Sequence, residues 1–211
     1  LEEIIVTGRK RQESLIDAPY AITALTAQDI QIKGIAELDD VSAFTPGFFN
    51  TNFSVGRANR EHRFLLFRGM HPRTELPHRA AASLFIDGAP SIGPEFGNAE
   101  DIERIEVLKG PQAAHFGRST YSGAINVITK DPGDEFSARI SADIADYGTS
   151  RVSASIDIPM GETFGARISA STYETDGMYD NAVVPGQQLG ARSTDDYSLT
   201  LKFEPSDRFD A

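Results

Sequence analysis

The sequence predicts an α+β domain followed by the antiparallel strands of a transmembrane β-barrel wall. Three observations carry the prediction. Short capped helices alternate with short strands through the first 130 residues. The stretch "ERIEVLKGPQAAHFGRSTYSGAINVITKDP", residues 103–132, reads as two buried strands, 103–109 and 124–129, joined by a glycine-punctuated turn. From residue 136 onward, four segments alternate apolar and polar residues with a strict period of two.

Composition bounds the reading. The chain has 211 residues, 40% of them hydrophobic, enough for one large domain or two small ones, and 18 Gly with 11 Pro give no low-complexity signal. A net charge of −11 argues against nucleic-acid binding, which needs Lys and Arg to replace phosphate counterions. The absence of cysteine excludes disulfides, thiolate metal sites and cysteine nucleophiles. No stretch approaches the roughly 20 apolar residues of a spanning helix, so a membrane role requires strands or a surface contact. The chain opens on Leu1 with no charged and apolar leader, as a processed product or a fragment would.

In chain order, "LEEIIVTGRKRQES" has a β-prone core at Ile4 to Thr7 that Gly8 stops. "LTAQDIQIKG" reads as a helix with Thr26 as N-cap, Asp29 three places on and Gly34 as its stop. "IAELDDVSAFTPG" reads as a second helix burying Ile35, Leu38, Val41 and Ala43 before Pro46 and Gly47 end it. Strands at 63–69 and 82–90 end in Gly or in the Asp87-Gly88 turn, and an acidic helical turn from Asn98 to Ile102 leads into "RIEVLKG". "PQAAHFG" adds one more helical turn, with Pro111 at its start.

The later strands are "FSARISADIAD", "SRVSASIDI", "FGARISAST" and "DDYSLTLKF". Each puts Ile, Val, Ala, Leu or an aromatic on one face and small or charged residues on the other. Tyr147-Gly148 makes a tight turn, Pro159 to Thr163 a longer one, and Thr175 to Thr194 a long polar loop. Soluble sandwiches share this pattern strand by strand. Four in succession, near the ~9–11 residues of a membrane strand, indicate a barrel wall.

Four anchors now stand in order: "EEIIVTGRK" at 2–10, "FRG" at 67–69, "FIDGAP" at 85–90, and "DIERIEVLKGPQAAHFGRSTYSGAINVITKDP" at 101–132. Together they resemble the plug domain of TonB-dependent outer-membrane receptors, over essentially the whole chain. His115 and Phe116 stand where that family prefers a Leu-Tyr pair. The resemblance implies a TonB-box-like segment at 1–10, a plug at 11–133 and the start of the barrel at 134–211. Family members close about 22 strands around the plug. Four strands cannot close, so the chain is expected to be the N-terminal portion of a longer protein.

The resemblance also assigns roles. Ile4, Ile5, Val6, Thr7 and Gly8 would be the handle that the periplasmic domain of TonB grips by strand addition; an ordinary first strand of the plug is the other reading. Arg57, Arg60, Arg63, Arg73 and Arg79, with His62, His71 and His78, would recognise a small anionic ligand such as an iron chelate. They lie in residues 54–82, which carry six Arg against Glu61 and Glu75, a local charge of +4 in a chain at −11. Pairing with carboxylates of the barrel wall is the alternative for these arginines. Arg68, Glu103, Arg104, Glu106, Lys109 and Arg118 are expected to form a structural charge network in the plug.

No metal site and no resident cofactor is expected, since the histidine spacings of nine and seven match no common zinc pattern. No nucleophile elbow, phosphate loop or paired carboxylates suggest catalysis, so the expectation is a transporter and not an enzyme. The implied setting is the Gram-negative outer membrane, with barrel strands against lipid, the N-terminal segment in the periplasm and a monomeric pore. Ferric siderophore uptake leads; haem, cobalamin or saccharide uptake by the same architecture, or a soluble β-rich module for anionic glycans, are the alternatives.

Overall fold

The structure is a computed structural model. It describes residues 4–8, 11, 13–52, 63–70, 80–91, 95–161, 163–186 and 188–204, with the backbone alone at Asn52 and Arg63. The chain forms two compact units, Leu1–Thr129 and Lys130–Ala211.

The first unit begins with two short paired strands, β1 (Ile5–Val6) and β2 (Glu13–Ser14). Strand β3 (Ala21–Thr26) then leads into helix α1 (Ala27–Lys33), closed by a complete Thr26/Asp29 capping box and by Gly34 in the left-handed conformation. Helix α2 (Leu38–Ala43) is shorter than the sequence pattern implies. The Asp40 carboxylate accepts from the amides of both Ala36 and Glu37, which fixes the helix start after Ile35. Ile35 is buried nonetheless, whereas Ala43 is exposed rather than on the buried face.

Strand β4 (Phe48–Asn52) pairs antiparallel with β5 (Arg63–Phe67), and Phe48 packs on Phe67 with ring centroids 5.1 Å apart. Strands β6 (Ala82–Ile86) and β7 (Ala89–Pro90) form a hairpin whose two loop residues, Asp87 and Gly88, have φ of 50° and 76°, as a type I′ turn requires. A 3-10 turn (Ala99–Asp101), capped by Asn98, precedes β8 (Ile102–Lys109). Helix α3 (Ala113–Phe116) begins two residues after Pro111, and β9 (Gly123–Thr129) completes the unit.

These strands assemble into a five-stranded sheet of order β3-β8-β9-β6-β7. Its centre is antiparallel between β8 and β9 and parallel between β9 and β6. Alternation sends Ile105, Val107, Ile125 and Val127 to one face, where they pack with Ile30, Ile35, Leu38 and Val41. Burying one such side chain stabilises the unit by about 1.5–3 kcal/mol. Leu108, Phe85, Ala124 and Phe116 form a second cluster, with the Phe85 and Phe116 rings 4.7 Å apart. Gly123 allows a close approach: a Cβ at this position would lie 2.7 Å from both the Leu108 carbonyl oxygen and the Phe67 ring.

The second unit is an antiparallel sheet of four long strands, β10 (Ser137–Ala145), β11 (Thr149–Pro159), β12 (Phe164–Thr175) and, after a two-stranded hairpin of β13 (Tyr179–Asp180) and β14 (Gln188–Leu189), β15 (Arg192–Phe203). That small hairpin lies within the stretch read as a plain loop. The apolar face of this sheet is largely exposed. Ile140 is 80% exposed and Ile144 89%, with Leu199 and Leu201 also exposed, whereas Ser153, Asp157, Arg167 and Ser169 on the polar face are buried. Phe164 opposes Phe203 at one end of the apolar face, and Phe136 is also exposed. A soluble sheet buries its apolar face; this arrangement suits a wall whose outer side meets lipid.

Candidate functional site: the N-terminal segment and the charged strand beneath it

Ile4 to Gly8 lie on the second face of the five-stranded sheet. The segment is not open on all sides: Ile5 opposes Ser14 and Val6 opposes Glu13 in the β1–β2 ladder, and the Leu15 amide donates to the Ile4 carbonyl at 2.9 Å. Val6 is fully buried. Gly8 has no space for a side chain, since a Cβ would sit 2.5 Å from Leu108 Cδ2 and 2.6 Å from the Tyr20 hydroxyl. That hydroxyl donates to Glu13 at 2.9 Å and so ties β2 to the start of β3.

The anchor beneath is Glu106, at the middle of β8 and 0% exposed. Its Oε1 accepts from the Thr7 amide at 2.7 Å, the Thr7 hydroxyl at 3.1 Å and Arg104 Nε at 2.9 Å. Arg104 also donates to Glu103 and, at 3.4 Å, to the Thr7 hydroxyl. A register shift between Ile102 and Arg104 breaks the strict alternation at Glu103. Oε2 of Glu106 is buried with no hydrogen-bond partner among the described residues.

The six residues expected to form one charge network therefore separate. Glu103, Arg104 and Glu106 are joined, and Thr7 completes their cluster. Lys109 lies at the far end of β8, where burial, reinforced by the nearby Arg68 charge, holds its ammonium below the usual lysine range. Arg68 is exposed in the left-handed conformation at φ 51°. Arg118 is exposed and pairs with none of the described carboxylates.

Of the ligand-site candidates, Arg57, Arg60, His62, His71, Arg73, His78 and Arg79 lie outside the described residues, and Arg63 is described only as the first backbone position of β5. Among the described residues no group of three His, Cys, Asp or Glu could hold a metal ion. The polar face of the second unit adds two clusters the sequence reading does not single out. Arg151 and Arg192 lie over the Tyr173 ring at 5.0 and 4.5 Å from its centroid, and Arg167 pairs with Asp157 at 2.7 Å. The alternating pattern puts all five on the polar face, but only the strand register brings them together.

The TonB-dependent Receptor Plug Domain matches residues 14–124, more than half of the chain. The chain belongs to the TonB-dependent receptor plug family. Its first unit is the plug, and its second is part of a barrel wall. The chain is 28% identical over 200 residues to the ferric enterobactin receptor PirA of Pseudomonas aeruginosa, covering 83% of this chain and 26% of PirA. It is 27% identical over 172 residues to the catecholate siderophore receptor Fiu of Escherichia coli K12, covering 79% of this chain and 21% of Fiu. Among solved structures, the ferric yersiniabactin uptake receptor FyuA of Yersinia pestis superposes with a TM-score of 0.77 at 20% identity, covering 89% of this chain and 29% of FyuA. The outer-membrane ferripyoverdine receptor of Pseudomonas aeruginosa gives 0.74 at 20% identity, over 96% and 26%. The plug and wall strands thus span about a quarter of the length of these relatives.

Proposed function

We propose that this plug and wall belong to a receptor that takes up a ferric siderophore, or a similar anionic iron chelate, across the Gram-negative outer membrane. The observation that carries the proposal is the plug fold followed by a sheet whose apolar side is largely exposed while Ser153, Asp157, Arg167 and Ser169 on its polar side are buried. The iron-chelate names of PirA and Fiu supply the substrate class. The exposed apolar side also weighs against a soluble glycan-binding module, which would bury that side.

In this reading, Arg57, Arg60, Arg63, Arg73 and Arg79, helped by His62, His71 and His78, contact the chelate. Arg presents a planar fork suited to carboxylate and catecholate oxygens. Ile4 to Gly8 enter the periplasm, where the TonB periplasmic domain grips them as an added strand. The receptor works as a monomer, and the plug rearranges when the segment is pulled. The test is radio-iron uptake with ferric enterobactin, ferric yersiniabactin and ferripyoverdine in cells carrying the full-length receptor, with and without TonB. TonB-dependent uptake of one chelate, weakened by alanine at the five arginines, is the expected result. No uptake of any iron chelate, with uptake of cobalamin, haem or a saccharide instead, overturns the substrate class.

A further inference from the structure

Building on the reading of Ile4–Gly8 as the segment a partner grips, we infer that Glu106 caps the free edge of β1, and that a partner strand adds through Ile5 and Thr7 after Glu106 releases the Thr7 amide. In an antiparallel ladder, the N–H and C=O groups of alternate residues point to the same side. The Leu15-to-Ile4 bond and the opposition of Val6 to Glu13 show that Ile4 and Val6 direct theirs at β2. Ile5 and Thr7 therefore direct theirs to the opposite edge, the one available to a second protein.

That edge is half closed. Ile5 is partly exposed, but the Thr7 amide is held at 2.7 Å by the Glu106 carboxylate, and the Thr7 hydroxyl reinforces the contact. A carboxylate acceptor makes a stronger bond than a strand carbonyl. Folded proteins protect exposed strand edges against unwanted pairing; here the protection comes from a side chain of the plug's own central strand. Glu106 is well placed for this, because β8 is paired on both sides and presents the acceptor from a rigid position. The closed form also carries a cost. Oε2 of Glu106 is buried without a partner among the described residues, and lifting the segment lets water reach it, which offsets part of the bonds lost on opening.

The test measures binding of the purified TonB periplasmic domain to the full-length receptor in detergent. Ile5→Pro and Thr7→Pro remove edge donors and are expected to weaken binding about tenfold or more, whereas Val6→Pro removes a donor used only toward β2 and leaves binding within about threefold. Glu106→Gln keeps the shape but weakens the cap, and is expected to tighten binding about fivefold. Loss in Val6→Pro, alone or together with Ile5→Pro, overturns the edge assignment. Unchanged affinity in Glu106→Gln overturns the cap; should that variant fail to fold, a Thr7 amide that exchanges with solvent in the wild-type receptor as fast as the Ile5 amide overturns it instead. If none of the proline variants alters binding, the segment is not the grip, and the functional reading beneath the inference fails with it.

Discussion

Arg167 on β12 lies directly opposite Asp157 on β11, and its Nη1 donates to both carboxylate oxygens, at 2.7 and 2.9 Å. Both residues are 7% exposed, and Ser137, on the other side of β11, donates to the same carboxylate. Arg167→Met strands a buried carboxylate and is expected to cost about 3–5 kcal/mol. The double variant Asp157→Leu, Arg167→Met removes both charges and recovers most of that loss. Thermal melting of the folded, detergent-solubilised receptor checks the pair; a single variant as stable as the wild type contradicts the assignment.

Gly123→Ala puts a methyl group against the Leu108 carbonyl and the Phe67 ring, each 2.7 Å from the new carbon. The backbone oxygen sits in the central ladder and cannot step aside without shifting β8 from β9. A loss of about 1–3 kcal/mol or more is expected. Chemical denaturation followed by tyrosine fluorescence reads it, and an unchanged midpoint contradicts the packing described.

Asp29 links stability to pH. A hydrogen bond from Lys33 holds its carboxyl below the ordinary value of 3.8, against an opposing effect of burial and with further help from the Thr26 amide and hydroxyl. Because the folded-state pKa is depressed, the stabilisation is fully present above the unfolded value and fades as pH falls through the folded one. Between about pH 5 and about pH 3 the wild type should lose more stability than Asp29→Asn, which cannot titrate there. Parallel pH-dependent melts compare the two; equal slopes refute the linkage.

Ile140, 80% exposed on the apolar side of β10, tests the lipid-facing wall. Ile140→Arg places a charge near the middle of the strand and is expected to cost about 2–4 kcal/mol in a membrane barrel, whereas Ser141→Arg on the polar side costs little. Assembly of the two variants into outer membranes, read by heat-modifiable gel mobility, separates them. Equal assembly argues against a membrane wall.

Helix α1 is legible in the sequence because its signals are local: Thr26, Asp29 and Gly34 specify both ends without reference to the rest of the chain. The four long strands are legible for the same reason, since each declares its two faces by alternation. Strand β4 is not. "FFNTN" lacks the alternation of a half-buried strand, and β5, which gives it a ladder, follows only after residues 53–62. Glu106 is the sharper case. In sequence it is one more charge in an alternating strand, and only the return of Thr7 from 99 positions away turns it into a buried acceptor. The pairing of Asp157 with Arg167 is intermediate, because both lie on the readable polar face but their opposition depends on how the turn from Pro159 to Thr163 sets the register.

The strand order β3-β8-β9-β6-β7 has a mechanical consequence. Of the strands in this sheet, the one nearest the start of the chain occupies an outer position, and the pairs β8–β9 and β9–β6 lie behind it. Tension applied ahead of Ile4 meets the two-residue β1–β2 ladder and the Thr7–Glu106 contact before it draws on β3. Removing β3 breaks a single row of hydrogen bonds and leaves the joined centre of the sheet, with Gly123 seated against Leu108 and Phe67, in one piece. Force from that end can therefore strip the plug by its outermost layer while most of its core stays folded.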